Sequence, residues 1–247
     1  MSSKSDNSGI YLYCIIPQNN CTELTNPGID GQELFTIGKG DLLAVVSNSP
    51  YKVYDLSSEN ILIHEGIIRE IMKTGDVIPF NFGNVLKSEN DLNKFMEANY
   101  NHLQRIMKKV SGAIEVGLKA FIKNECFNDE VENEEIKDLK QKLEDSDSDK
   151  NYPLKVDLGK AVKKSLEQKQ KEYEIKIFNP LKQHCFDANI SECTMVKMIL
   201  NAAFLIGKEK LEVFNEKVDE IISKYDDKLT FKYTGPWPPY NFIDMPD

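Results

Sequence analysis

The stretches of this 247-residue sequence that could ligate a metal, hold a phosphate or attack a substrate each have a spacing wrong for the task. The stretch Asp145-Ser-Asp-Ser-Asp149 opens like a calcium loop, which needs glycine at its sixth position and a closing glutamate at its twelfth. Lys150 and Val156 stand there, so the stretch reads as a solvated acidic turn. His184-Cys185 with Cys193 offers nitrogen and sulfur, but no second ligand pair follows at zinc spacing. Gly38-Lys39-Gly40 suggests a phosphate loop, yet G-x-x-x-x-G-K-[ST] requires glycine where Glu33 stands and Ser or Thr where Gly40 stands. His64 sits among apolar residues at helical spacing and reads as a core histidine with its ring nitrogens bonded, not as a base. There is no G-x-S-x-G elbow, no H-E-x-x-H and no nucleophile with activating neighbours. The expectation is a protein with no catalytic residues, no cofactor and no metal, acting by binding rather than as an enzyme.

Bulk properties narrow the partners. Lys and Arg number 31 against 40 Asp and Glu, a net charge of −9, which disfavours nucleic acid and anionic lipid as general partners. The acidity is local: residues 124–150 hold 11 acidic residues and 4 lysines, a net of −7, leaving −2 for the remainder. Apolar runs at 10–16 and 202–206 fall far short of the 18 or more residues of a membrane helix, so no span is expected. Five cysteines without a C-x-x-C pair indicate reduced thiols, and the opening MSSKSDNSG has no apolar core of a signal peptide. These features point to the cytoplasm.

The elements follow from periodicity. Residues 10–16 form a β-branched and aromatic run stopped by Pro17, a buried strand, and two further strands flank Gly38-Lys39-Gly40 as a hairpin. Ser57 caps an amphipathic helix through His64, Ile68 and Ile71 that Gly75 ends; Ser88 with Asp91 caps a second that Gly112 ends. Residues 116–122 read as a strand closing a first α+β domain over 1–122. The second domain, 123–247, is expected to hold the acidic helical segment, a long helix bent at Asn179-Pro180, a strand over 195–206, a helix along Leu211, Phe214, Val218 and Ile221, and an alternating strand from Leu229. Strand, helix and strand suggest half of a ferredoxin-like unit, so the fold class is α+β, two domains, each a small mixed sheet with helices, the second ferredoxin-like in part.

Two segments stand apart. Residues 77–83, VIPFNFG, form an apolar run interrupted by proline, with Asn81 between two aromatics. Residues 234–242, TGPWPPYNF, hold three prolines and the only tryptophan, a composition that keeps an extended backbone at low entropic cost. Packing explains both, with the proline-rich segment laid against the second domain; partner recognition is the other use of such segments. Pro79, Phe80, Phe82, Trp237, Pro239, Tyr240 and Phe242 are therefore the candidate structural or partner-contact residues.

Taken in order, YLYCIIP near the start, His64 in its helix, VIPFNFG, GAIEVGLKAF at 112–121, LNAAFLI at 200–206 and GPWPPYNF at 235–242 resemble the gas vesicle protein F/L family. The resemblance covers nearly the whole chain and departs from the family at Asn81, where arginine is common. It implies a two-domain accessory protein of gas vesicle assembly, found in the cytoplasm and at the gas vesicle. Its implied partners are the hydrophobic shell protein and other accessory proteins. The competing function, a small-molecule-binding regulatory module, has fold analogy as its warrant.

Overall fold

The computed structural model describes residues 8–20, 23–145 and 151–245. Cys21, most of the opening MSSKSDNSG and the acidic turn beyond Asp145 lie outside them. The chain divides into two compact units, one of residues 1–115 with 236–247, the other of residues 116–235. This differs from the expected boundary after residue 122 with everything beyond it in one domain. The second unit is instead inserted in the first, which the chain leaves at Glu115 and re-enters at Pro236.

The first unit is built on β1 (Ser8–Pro17), β2 (Leu34–Lys39), β3 (Leu42–Pro50), β4 (Ile78–Pro79) and β5 (Val85–Leu86). The order is β2-β3-β1-β4, with β5 also on β1. Because β1 is central and covered on both faces, its apolar run is continuous rather than alternating, and residues 10–16 are all buried. A register shift between Leu12 and Cys14 marks a bulge in its pairing with β3.

Helix α1 (Ser58–Thr74) and helix α2 (Glu89–Val110) pack on opposite faces of this sheet. Leu12 and Ile15 join Leu92, Met96, Leu103 and Ile106 of α2 in one core, whereas Tyr11, the neighbour of Leu12, meets His64 of α1. Both helices start as the sequence predicts: the Ser57 hydroxyl accepts from Asn60 N–H, and the Ser88 hydroxyl accepts from Asp91 N–H while donating to its carboxylate. Gly112, at φ +67°, turns the chain out of α2.

The second unit contains β6 (Ala113–Ile122), α3 (Phe127–Val131), α4 (Glu134–Glu144), α5 (Tyr152–Tyr173), α6 (Asn179–Lys182), β7 (Asp187–Ile190), β8 (Met198–Gly207), α7 (Leu211–Tyr225) and β9 (Leu229–Trp237). The first residues of β6 and the last of β9 belong to the first unit. The sheet order is β7-β8-β6-β9. Two corrections follow. The strand expected to close the first domain pairs instead in this second sheet. The strand expected from residue 195 begins at Met198, after a turn that leaves Met195 and Val196 exposed.

With β6, helices, a β7–β8 hairpin, α7 and β9 in that order, the whole βαββαβ ferredoxin-like arrangement is present, not half of it. Between α5 and α6, residues Glu174–Phe178 form a π-helical turn. Pro180 has no N–H to continue the regular ladder, and the wider turn just before it absorbs that loss.

Candidate functional site

VIPFNFG and the proline-rich segment, remote in sequence, meet in the first unit. The route to that meeting begins in β1. Cys14 opposes Pro79 of β4, and Tyr11 opposes Val85 of β5. Over that interval β1 advances three residues (14 to 11) and its partner six (79 to 85), so three residues, Asn81-Phe82-Gly83, are looped out of the sheet. Phe80 N–H still donates to Tyr13 O at 2.9 Å and Leu12 N–H to Asn84 O at 2.9 Å, which fixes both feet of the loop. Gly83 takes φ +89°, open to glycine at no steric cost.

A buried hydrogen-bond chain pins this loop. His64 Nε2 lies 2.9 Å from Phe80 O and Nδ1 lies 3.1 Å from Tyr11 Oη. A carbonyl can only accept, so Nε2 carries the proton and Nδ1 accepts from the Tyr11 hydroxyl. Tyr11 Oη in turn accepts from Gly83 N–H at 2.9 Å. Burial pushes the imidazole pKa below its ordinary value, against the opposing bond to Phe80, and the neutral ring is the form this geometry requires. Burial likewise raises the Tyr11 phenol, which stays protonated and able to donate.

Aromatic rings surround the chain. Tyr13 stacks on His64 with centroids 5.6 Å apart, and Phe82 meets the same ring edge-on at 5.8 Å. Tyr13 Oη accepts from Ile29 N–H at 2.8 Å and lies 3.0 Å from Ser47 Oγ. Tyr54 donates to Asp30, the one non-glycine residue of positive φ among those described. Every polar atom of His64, Tyr11 and Tyr13 is thus engaged by another group of the unit. The arrangement is a scaffold for a loop; no group in it is poised as a base or nucleophile.

The proline-rich segment, expected to lie against the second domain, belongs from Pro236 onward to the first unit, where it lies across the β4 edge. On the α1 side, Arg69 sits over the Trp237 ring at 5.2 Å and Tyr240 Oη donates to Glu65 at 2.9 Å. Asn241 donates twice to the buried Glu115 carboxylate, from its backbone N–H at 2.8 Å and from its side-chain amide. Burial raises the Glu115 pKa above the ordinary carboxylate range, and the two Asn241 donors pull against that rise. Phe242 is buried, and on the α2 side His102 donates to Asp244 O while Ile243 and Met245 join the α2 core.

Between the loop and the segment runs a cleft of about 270 Å³ lined by Pro79, Phe80, Asn81, Asn84, Phe95, Tyr240, Ile243 and Met245. Among the candidate residues, Pro79, Phe80 and Tyr240 line it directly. Phe82 packs behind it on His64, Pro239 and Phe242 are buried, and Trp237 lies over α1. Sequence reasoning passed over Tyr11, Tyr13, Glu65, Glu115 and Asn241. Two tyrosines inside an aliphatic strand were the available signal, since buried phenols need partners.

The second unit has its own polar centre. Glu130, buried at 8% exposure, accepts from Lys228 at 2.8 Å and Tyr173 Oη at 3.1 Å, and pairs with Lys169 at 3.1 Å. Desolvation would raise its carboxyl; the bonds and charges of Lys228 and Lys169 outweigh that and hold it at about 2. Among the described residues, no helix is long and apolar enough to cross a membrane.

The family model of the gas vesicle synthesis protein GvpL/GvpF matches residues 9–244. Gas vesicle protein F of Dolichospermum flosaquae is 28% identical over 246 residues, covering 96% of this chain and 98% of that protein. Gas vesicle protein F1 of Halobacterium salinarum is 27% identical over 240 residues, covering 96% and 93%. The crystal structure of GvpF from Anabaena sp. PCC7120 superposes with a TM-score of 0.78 at 25% identity, over 97% of this chain and 98% of that one.

Proposed function

The chain belongs to the gas vesicle synthesis GvpL/GvpF family, whose members take part in gas vesicle formation, and from that premise we propose that it acts by binding alone, as an assembly accessory protein without enzymatic activity. Its partners in this reading are the hydrophobic shell protein and other accessory proteins, met in the cytoplasm and at the growing vesicle. A shell subunit apolar enough to line a gas space aggregates unless its strands and apolar faces are covered before it polymerises. A partner that covers them need not hydrolyse anything.

The observation that supports this best is the cleft between the looped-out Asn81-Phe82-Gly83 and the 236–245 segment. Its walls offer Phe80, Phe95, Ile243 and Met245, while the polar groups behind it are already bonded to one another. Apolar and backbone groups, more than charge, are what such a surface presents to a partner.

The test is a pull-down from cells expressing the whole gas vesicle gene cluster. Wild-type protein should capture the shell protein, and Asn81→Asp or Asn81→Lys, at the exposed cleft rim, should lose at least about tenfold of that capture with an unchanged melting temperature. Undiminished capture by both variants would remove the cleft from the interface. Deleting the gene should abolish buoyant cells and resupply should restore them. A well-folded His64 variant that still bound the shell protein yet made no vesicles would reopen the search for chemistry.

A further inference from the structure

The segment 236–245 reaches the first unit only after the whole of 116–235 has intervened, and the contacts that seat it are made to first-unit groups. Glu115 accepts from Asn241, Glu65 from Tyr240, and Arg69 covers Trp237. Pro236, Pro238 and Pro239 hold the segment extended, so little backbone freedom is lost when it docks. It enters through Gly235, which is exposed and has φ +130°, a backbone state that residues with side chains avoid.

We propose that this segment is an exchangeable latch, and that the first-unit groove formed by Glu65, Arg69, Phe80 and Glu115 accepts the 236–245 segment of a second copy of this chain in place of its own. The fit of groove to occupant is displayed by the seated segment itself. An exchanged segment makes the same contacts, so the two arrangements differ chiefly in the entropy of association and in the conformation of Gly235. Within one chain the tether supplies an effective concentration of order millimolar. Exchange therefore emerges where copies are crowded or held side by side, and each exchange links one copy to the next.

Two full-length variants separate exchange from simple fraying. Asn241→Pro removes both donors that Glu115 accepts and spoils the latch; Glu115→Lys spoils the groove. Each alone should be monomeric by light scattering, while an equimolar mixture should give a species of twice the 28.2 kDa chain mass, built from the intact latch of one and the intact groove of the other. A labelled peptide of residues 234–247 should bind the Asn241→Pro chain about a hundredfold more tightly than wild type, whose own latch competes. A mixture that stays monomeric, or a peptide that does not distinguish the two chains, overturns the proposal. Should circular dichroism show either variant unfolded, wild type decides: its dimer fraction after refolding must rise with protein concentration, and monomer at every concentration overturns the proposal equally.

Discussion

His64 shows what one residue does in this fold when its chemistry is turned inward. Both ring nitrogens are committed, one to Phe80 O and one to the Tyr11 hydroxyl, so the ring sets the shape of the 80–84 loop. His64→Ala leaves the Tyr11 hydroxyl without its acceptor and the Phe80 carbonyl without the imidazole donor, and should cost roughly 2–4 kcal/mol in a urea melt. Tyr11→Phe strips an acceptor from Gly83 N–H and a donor from Nδ1, and should cost about 1–3 kcal/mol. An unchanged denaturation midpoint for both would mean the chain of bonds does not hold the loop.

A pair of glycines makes a second residue-scale comparison. Gly40 and Gly31 both have positive φ, +60° and +70°. A Cβ on Gly40 would come within 2.2 Å of the Tyr100 hydroxyl, whereas one on Gly31 would meet nothing within 4 Å. Gly31→Ala should cost about 1 kcal/mol of backbone strain, and Gly40→Ala clearly more, since the ring must also move. Equal losses would show that Tyr100 yields freely.

At the scale of elements, Glu130 ties α3 to α5 and to the turn before β9 through Lys169, Tyr173 and Lys228. Its folded pKa of about 2 lies below the ordinary glutamate value of 4.5, so its contribution is fully present above pH 4.5 and is lost as pH falls from there toward 2. Glu130→Gln should lower the melting temperature at pH 7 and flatten its fall between pH 4.5 and 2.5 relative to wild type. Parallel wild-type and variant curves across that window would exclude the ion-pair account. Glu115 has the opposite sign: its raised pKa favours the folded state more as pH falls, which works against the acid loss at Glu130.

For the molecule as a whole, the segment 236–245 completes the first unit by crossing its β4 edge. Removing it uncovers Phe80 and Phe95 and withdraws the buried Phe242, and loss of a large aromatic contact costs about 3–5 kcal/mol. The truncated chain should melt at lower temperature and bind more hydrophobic dye, with amide exchange rising in β1, β4 and α1 while β8 and α7 stay protected. Exchange rising first in β8 would place the segment's contribution in the second unit.

Periodicity and capping were enough to locate β1, α1, α2, the β2–β3 hairpin, α7 and β9, because each is set by neighbours within a few residues: Ser57 and Ser88 as caps, Gly40 and Gly112 as turns, apolar stripes at helical spacing. Composition likewise marked VIPFNFG and the proline-rich segment as unusual, and their order along the chain carried the family resemblance. Which sheet β6 joins could not be read that way. Residues 113–122 set Ile114, Val116, Leu118, Ala120 and Ile122 on one face and Ala113, Glu115, Gly117, Lys119 and Phe121 on the other, an alternation that a strand of either sheet could carry. Only its pairing between β8 and β9, strands that begin at Met198 and Leu229, decides it, and that pairing makes the second unit an insertion. The same holds for the site. Glu115 looks like one more charged residue in a strand and Asn241 like one more turn former, until the folded chain brings them to 2.8 Å. Local sequence dictates backbone conformation through sterics and short-range hydrogen bonds; long-range partners are chosen by the burial of whole faces, which is a property of the assembled fold.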